Sequence, residues 1–450
     1  MRNEVLRSVC AGFLVVSGNS RTRATVDGRR VRGRAVTALI LALCAQVASI
    51  HAADWPQFRG PNRDGKSPET GLLKQWPTAG PRLIGTISGV GGGFSSPVIA
   101  GERIYITGKV GDDLKIFCFD GSGRKIWERT HGPAYYGATA VHSPYPGARA
   151  TPTIDGDMLF LLSGLGRLAA YRTSNGEPVW SVETVGDLGG RVPPWGYSES
   201  VLIEGDRLYF TPGGEQTGTF AALDKNSGRV LWRSNEVTER AEYGSPILIE
   251  FNSIRQIVNM SRGGLLAVSP ENGELIWRYN RIANMTTPEG TTAHCNSPVY
   301  ADGYVFEATA YHTRGGCAVA LRPTATGVEA ELAWESSRLN VEHGSYVLVD
   351  GYVYAPHGVG WICLELKTGT ERWSGRGPGK GSIVYADGML YCLAENGRMG
   401  LIEAIPTAYK MVSMFELPKG EGPCWTHPVI ADGKLYLRWD DNLYVYDIKE

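Results

Sequence analysis

The sequence predicts an all-β chain, an eight-bladed β-propeller of four-stranded antiparallel blades, and three observations predict it. The first is composition: 58 of 450 residues are Gly, 10 % are aromatic with 12 Trp and 21 Tyr, and only 20 % are charged. Many Gly with many aromatics suit short strands joined by tight turns. A helical bundle would be richer in Ala, Glu, Leu and Lys. The second is a hairpin, an apolar strand and a two-residue turn ending in Gly, that recurs with Gly-to-Gly spacings of 55, 49, 98, 48, 37 and 45. The third is a second hairpin in most units, ending in Trp. Four strands per unit at this period mean propeller blades: one blade cannot bury both faces, whereas a closed ring packs each on two neighbours.

The elements follow in chain order. Residues 1–53 carry eight Arg and two acidic groups, and Arg29, Arg30, Arg32 and Arg34 precede an apolar run from Ala35 to Ile50. That order, followed by Ala52 and Ala53, is expected of a secretory leader cleaved after one of those alanines. The first ~28 residues do not fit a usual n-region, which points to a translation start further down. Residues 54–450 are then one propeller domain, periplasmic or extracellular. That body carries a net charge of −7, which does not invite a nucleic-acid backbone. Nothing in it suggests membrane-surface binding or a membrane span in the mature chain. It holds six Cys, at 118, 295, 317, 363, 392 and 424, with no C-x-x-C spacing, so buried free thiols are expected.

The first hairpins of the units centre on Gly101, Gly156, Gly205, Gly303, Gly351, Gly388 and Gly433. Where Asp precedes the Gly, positive φ is expected at the turn. The spacing of 98 holds two units, and the copy between them, Pro246 to Val258, reads as a longer hairpin without the Gly. The second hairpins end at Trp127, Trp180, Trp232, Trp277, Trp334 and Trp373. These indoles are expected between adjacent blades. Unit seven, Met399 to Phe415, keeps the strands without the Gly or the Trp. Unit eight stops after its third strand, and residues 81–88 form an unassigned strand. That N-terminal strand is expected to pair near Leu443 to Ile448, close the ring and remove an exposed edge.

At Asp224-x-x-x-Gly228-x-x-x-Trp232 the chain resembles the tryptophan-docking repeat of the PQQ-like (pyrroloquinoline-quinone) β-propellers. That family includes eight-bladed quinoprotein alcohol dehydrogenases and a lipoprotein of the outer-membrane β-barrel assembly machine. Asp54-Trp-Pro-Gln-Phe-Arg-Gly-Pro-Asn-Arg-Asp-Gly65, Trp195-Gly-Tyr-Ser-Glu-Ser200 and Thr211-Pro-Gly-Gly214 are similar to a secreted group common in planctomycete-like bacteria. The resemblance is specific for fold and not for activity.

In a propeller the innermost strand of each blade, strand A, lines the central channel. Insertions at 129–149, 183–196 and 280–294 fall in connections that crown one face, which marks that face for binding. Residues at the start of each strand A are Ser95, Arg149, Glu199, Tyr243, His294 with Asn296, His343 beside Glu342, Lys380, and Trp425 with His427. A carboxylate, a carboxamide, imidazoles and cations around one axis suit a polar ligand or a cation. The candidate ligand-binding set is Glu199, Asn296, His343, Lys380 and Trp425, converging at the channel mouth.

Two functions follow. One is a binding or scaffolding module with a polar funnel, its partner an unknown protein or a small polar ligand. The other, implied by the resemblance, is a PQQ- and Ca²⁺-dependent alcohol or sugar oxidoreductase, with Glu199 and Asn296 as Ca²⁺ ligands and Lys380 as a cation near the quinone. Departures from the family pattern are the missing adjacent Cys-Cys pair and the missing funnel Asp.

Overall fold

The computed structural model describes residues 54–136, 145–214, 217–281, 293–311, 314–418 and 420–450. They fall within the compact unit His51–Glu450. The expected leader, and parts of the insertions at 129–149 and 280–294, lie outside the described residues.

Eight blades of four antiparallel strands, A to D, follow one another around a ring, in sequence order in all but blade eight, and a short parallel strand is added to strand A of blade seven. Blade one shows the pattern with Val98–Ala100, Arg103–Val110, Asp113–Asp120 and Lys125–Pro133. Strands A and B meet at tight turns that need left-handed backbone. Asp302 and Gly303 have φ of +53° and +79°, as a two-residue hairpin turn requires. Blade four reaches the same geometry without Gly. Asn252 and Ser253, at φ +51° and +61°, join Ile247–Phe251 to Ile254–Ser261. The turn there keeps its length and only the strands are longer; Asn tolerates the left-handed region that Gly fills elsewhere.

Blade eight is built as expected. Its own chain supplies Val429–Ala431, Lys434–Trp439 and Asn442–Asp447, and Arg82–Ser88 is its outer strand, from Arg82 opposite Asp447 to Ser88 opposite Asn442. The ring is thus closed by pairing the two ends of the domain, so no blade is left with a missing strand.

The Gly and the Trp of the repeat meet across blades, not within one. Trp127 of blade one donates its indole N–H to Thr173 O of blade two at 3.0 Å. A Cβ on Gly176, in that same blade-two turn, would sit 2.7 Å from the Trp127 ring. Trp180 with Gly228, Trp232 with Gly273 and Trp334 with Gly369 repeat the arrangement. Where the Trp is lost the contact persists. Phe415 of blade seven lies against Gly80, just before the strand donated to blade eight, and Ile87 of that strand lies against Gly123 of blade one. Each inter-blade seam is further filled by apolar side chains of strands B and C, such as Phe160, Leu208, Phe210 and Leu223 between blades two and three. All six described Cys are free, five of them buried. Among the described residues no helix is long and apolar enough to cross a membrane.

Candidate functional site

The floor of the channel is made by the segment that precedes the closing strand. Trp55 pairs its backbone with Ile99 of blade one, and Pro56 O accepts from Ile154 N of blade two at 2.8 Å. Arg63 donates to Ser200 O and Val201 O of blade three at 2.5 and 3.0 Å. Arg59 donates to Tyr346 O of blade six at 2.6 Å. Lys66–Ser67 then runs parallel to Tyr385 and Ala386 of blade seven, and Ser67 reaches Ile430 O of blade eight. Both guanidinium groups are almost fully buried, at 1 % and 3 % exposure. Burial lowers each to about 10, so both stay charged at neutral pH. Their donors satisfy carbonyls that the channel would otherwise leave bare. The Asp54–Gly65 motif is therefore a plug, with Phe58 on its upper side.

Above the plug lies a cavity of about 710 Å³. Its wall has a simple register. One residue from the entry to each strand A points in: Phe94, Arg149, Ser198, Tyr243, Cys295, His343, Lys380 and Trp425, in blade order. Two residues further on, a belt ties neighbouring blades together. Ser96 N donates to Thr151 Oγ1, Thr151 N to Ser200 Oγ, Ser200 N to Ser245 Oγ and Ser245 N to Ser297 Oγ, all between 2.9 and 3.2 Å. His427 N donates to Ser96 Oγ at 3.0 Å, so the belt runs from blade eight through blade one to blade five. Blades six and seven are tied differently, by Ser345 N to Asn296 Oδ1 and by Ser382 Oγ to Thr426 O.

The residues between wall and belt point away from the channel, because successive side chains of an extended segment alternate. Glu199, Asn296 and Ser95 occupy that intermediate position. Both Glu199 oxygens accept from Thr211 N, at 3.2 and 3.0 Å. Burial raises its carboxyl well above the usual range. Asn296 Nδ2 donates to Ala308 O and Val341 O at 2.9 and 3.1 Å, and its Oδ1 accepts from Ser345 N at 3.0 Å. Glu199 is thus tied within blade three and Asn296 joins blade five to blade six, and neither faces a ligand. The expected convergence of Glu199, Asn296 and His343 on one cavity is therefore a one-residue slip in blades three and five. His343, Lys380 and Trp425 do line the cavity, as do Arg149, Tyr243, Glu342 and His427. His294 points away and is 2 % exposed.

Phe58, Tyr145, Trp195, Tyr311 and Glu395 also line the cavity and were not read from the sequence. A signal for the register was present: Ser96, Thr151, Ser245, Ser297 and His427 each stand directly before a Pro that opens strand A. The wall residue lies two before that hydroxyl or imidazole.

The charged side of the cavity comes from blades six and seven. Lys380 Nζ lies 2.8 Å from Glu342 Oε2 and 3.4 Å from Glu395 Oε2. Burial works against the Lys380 ammonium, but the bond to Glu342 and the charge of Glu395 hold it above its ordinary value. Burial raises the Glu395 carboxyl. Tyr311 Oη meets His343 Nε2 at 3.1 Å, and His343 lies against the Trp425 ring, centroids 4.4 Å apart. His427 bonds His343 O and rests edge-on against Phe58 at 5.0 Å. Burial lowers His343 to about 4 and His427 to about 3, so both are neutral hydrogen-bonding groups at pH 7.

The calcium and quinone expectation does not fit this arrangement. The oxygens of Glu199 and Asn296 already accept protein donors and do not line the cavity. Lys380 already stands between the two cavity carboxylates, and those carboxylates oppose a polyanionic quinone.

Comparison with known proteins places this geometry in context. The PQQ_2 family model, described as outer membrane protein assembly factor BamB, matches residues 112–374. The outer membrane protein assembly factor BamB of Bordetella pertussis (strain Tohama I) is 25 % identical over 244 residues, 48 % of this chain and 58 % of the relative. The chain thus spans less than two thirds of the length of the curated relative it matches. Among solved structures, a europium-containing methanol dehydrogenase aligns with a TM-score of 0.67 at 11 % identity, covering 89 % of this chain and 99 % of that one. The quinohemoprotein alcohol dehydrogenase of Comamonas testosteroni aligns with a TM-score of 0.63 at 12 % identity, covering 89 % and 81 %. BamB of Moraxella catarrhalis aligns at 0.54 and 15 % identity, covering 79 % and 99 %. At these identities the alignments speak for the fold alone.

Proposed function

The chain belongs to the PQQ_2 family of β-propellers, the family described as outer membrane protein assembly factor BamB, and from that premise we propose that it is an exported binding module whose ligand enters the channel funnel. One observation carries the reading. The Asp54–Gly65 segment is held across the channel by Arg59 and Arg63, and above it lies a cavity of about 710 Å³. That volume lies in the range typical of small-molecule sites, and aromatic walls with a few polar groups are their usual lining. A ring serving only as a scaffold between proteins has no need of a floor. The leader of Arg29 to Arg34 followed by an apolar run supports export. No chemical step is assigned, because the two residues expected to hold Ca²⁺ face away from the cavity.

A thermal-shift screen of small molecules against the secreted protein tests the reading. Hits are repeated on Ser198→Trp, which fills the cavity from an inward-facing wall position. Genuine funnel ligands raise the melting temperature of the parent and not of the variant. Hits that act equally on both would place binding elsewhere and sink the proposal.

A further inference from the structure

The funnel is electrically divided. Arg149 enters from blade two, while Glu342, Lys380 and Glu395 belong to blades six and seven. In an eight-bladed ring, blades two and six stand opposite each other. Arg149 Nη2 donates to Tyr145 O at 2.5 Å, and the guanidinium lies 5.2 Å from the Tyr135 ring centroid. Its Nε is buried with no bond partner. Among the described residues no carboxylate lies within ion-pair distance of it. A partly buried cation with no carboxylate beside it favours an anion that meets it.

The far wall has the opposite imbalance. Two carboxylates share one ammonium, at 2.8 and 3.4 Å. An ionised carboxylate offers about four acceptor sites, so Lys380 and the Tyr311 hydroxyl, 3.3 Å from Glu342 Oε2, leave several of them open. The two walls therefore carry formal charges of opposite sign. Between them lie Trp425, Tyr243 and Phe58, and the facing histidines, His343 and His427, are neutral.

Size limits the ligand further. A sphere of about 710 Å³ is about 11 Å across. Three extended residues span at most ~10–11 Å. Resting on the funnel reading above, we propose that the ligand is a linear zwitterion of tripeptide length, a short peptide with free termini. Its carboxylate is received by Arg149, its ammonium by Glu342 and Glu395, and its side chains lie against Trp425 and Tyr243.

Isothermal titration calorimetry on the full chain tests this with four forms of one peptide, Gly-Tyr-Gly: free, N-acetylated, C-amidated and blocked at both ends. The free form binds tightest, and each block weakens binding at least tenfold. In Arg149→Gln the penalty for the C-terminal amide disappears while that for the acetyl group remains; in Glu342→Gln the pattern reverses. Doubly blocked peptide binding as well as the free form overturns the zwitterion inference. So does loss of binding in EDTA, because a metal held by Glu342, His343 and Glu395, whose ligand atoms lie within 4.8 Å, would then be the bridge. If none of the four binds but other ligands sensitive to Ser198→Trp exist, this inference fails and the funnel reading survives. If no such ligand exists, both fail.

Discussion

His131 on the outer strand of blade one should make the protein lose stability in mild acid, and the size of the loss can be worked out. The ring is buried, at 3 % exposure. Its Nε2 lies 3.0 Å from Arg167 O, a carbonyl that can only accept, so Nε2 carries the proton. Nδ1 is then the acceptor of the Tyr171 hydroxyl at 3.0 Å. Protonating Nδ1 breaks that arrangement, buries a charge and places it near the Arg167 cation. Burial, the largest cause, and Arg167 lower the imidazole to about 4, against an ordinary 6.5. The unfolded chain therefore takes up a proton that the folded one refuses. The stability is fully present above pH 6.5 and drains away as pH falls towards 4. At pH 4.5 the loss is about 2.5 kcal/mol for this one group, from about 1.4 kcal/mol per pK unit. Urea unfolding of the parent and of His131→Phe, at pH 7.5 and pH 4.5, measures it. The variant is less stable at both pH values, because Arg167 O and Tyr171 lose their partner. Its pH-dependent loss should be smaller than the parent's by about 2.5 kcal/mol. Equal losses in the two proteins would refute the neutral-histidine argument.

Three further outcomes are expected. Trp277, 4 % exposed and bonded to Gln256 Oε1, should cost about 3–5 kcal/mol on truncation to Ala, read from the denaturant midpoint; the partly exposed Trp232 should cost less, and no change at either would mean the seams do not depend on these indoles. Removing 54–88 takes away both the floor and the outer strand of blade eight, so that variant should aggregate and melt without a sharp transition, and a soluble, cooperative deletion variant would contradict ring closure. Glu199→Gln should leave funnel binding unchanged within about twofold while lowering the melting temperature, because its side chain serves Thr211; a large loss of affinity would return Glu199 to the ligand site.

The architecture was legible in the chain because a repeat states its own period. Asp-Gly turns, strand lengths and the incomplete eighth unit required a ring and a strand from elsewhere, and Arg82–Ser88 supplies it. The site was legible only to within one residue. Arg149, Tyr243, His343, Lys380 and Trp425 were placed in the funnel, but Glu199 and Asn296 were given the parity of their neighbours. In an extended segment a shift of one position exchanges the two faces, and local sequence around Ser198-Glu199-Ser200 does not say which face is inner. That choice is made by the belt, where Ser200 must receive Thr151 N and donate its own N–H to Ser245. The plug was beyond sequence reading for a different reason. Arg59 and Arg63 hold carbonyls of blades six and three, and a backbone carbonyl has no residue type to recognise. The sequence by itself determined the ring, its blade count and its closing strand, because those follow from periodic local patterns. Only the tertiary structure decided which side chains look inward and that the channel has a floor, because both depend on hydrogen bonds between residues as far apart as 363 positions.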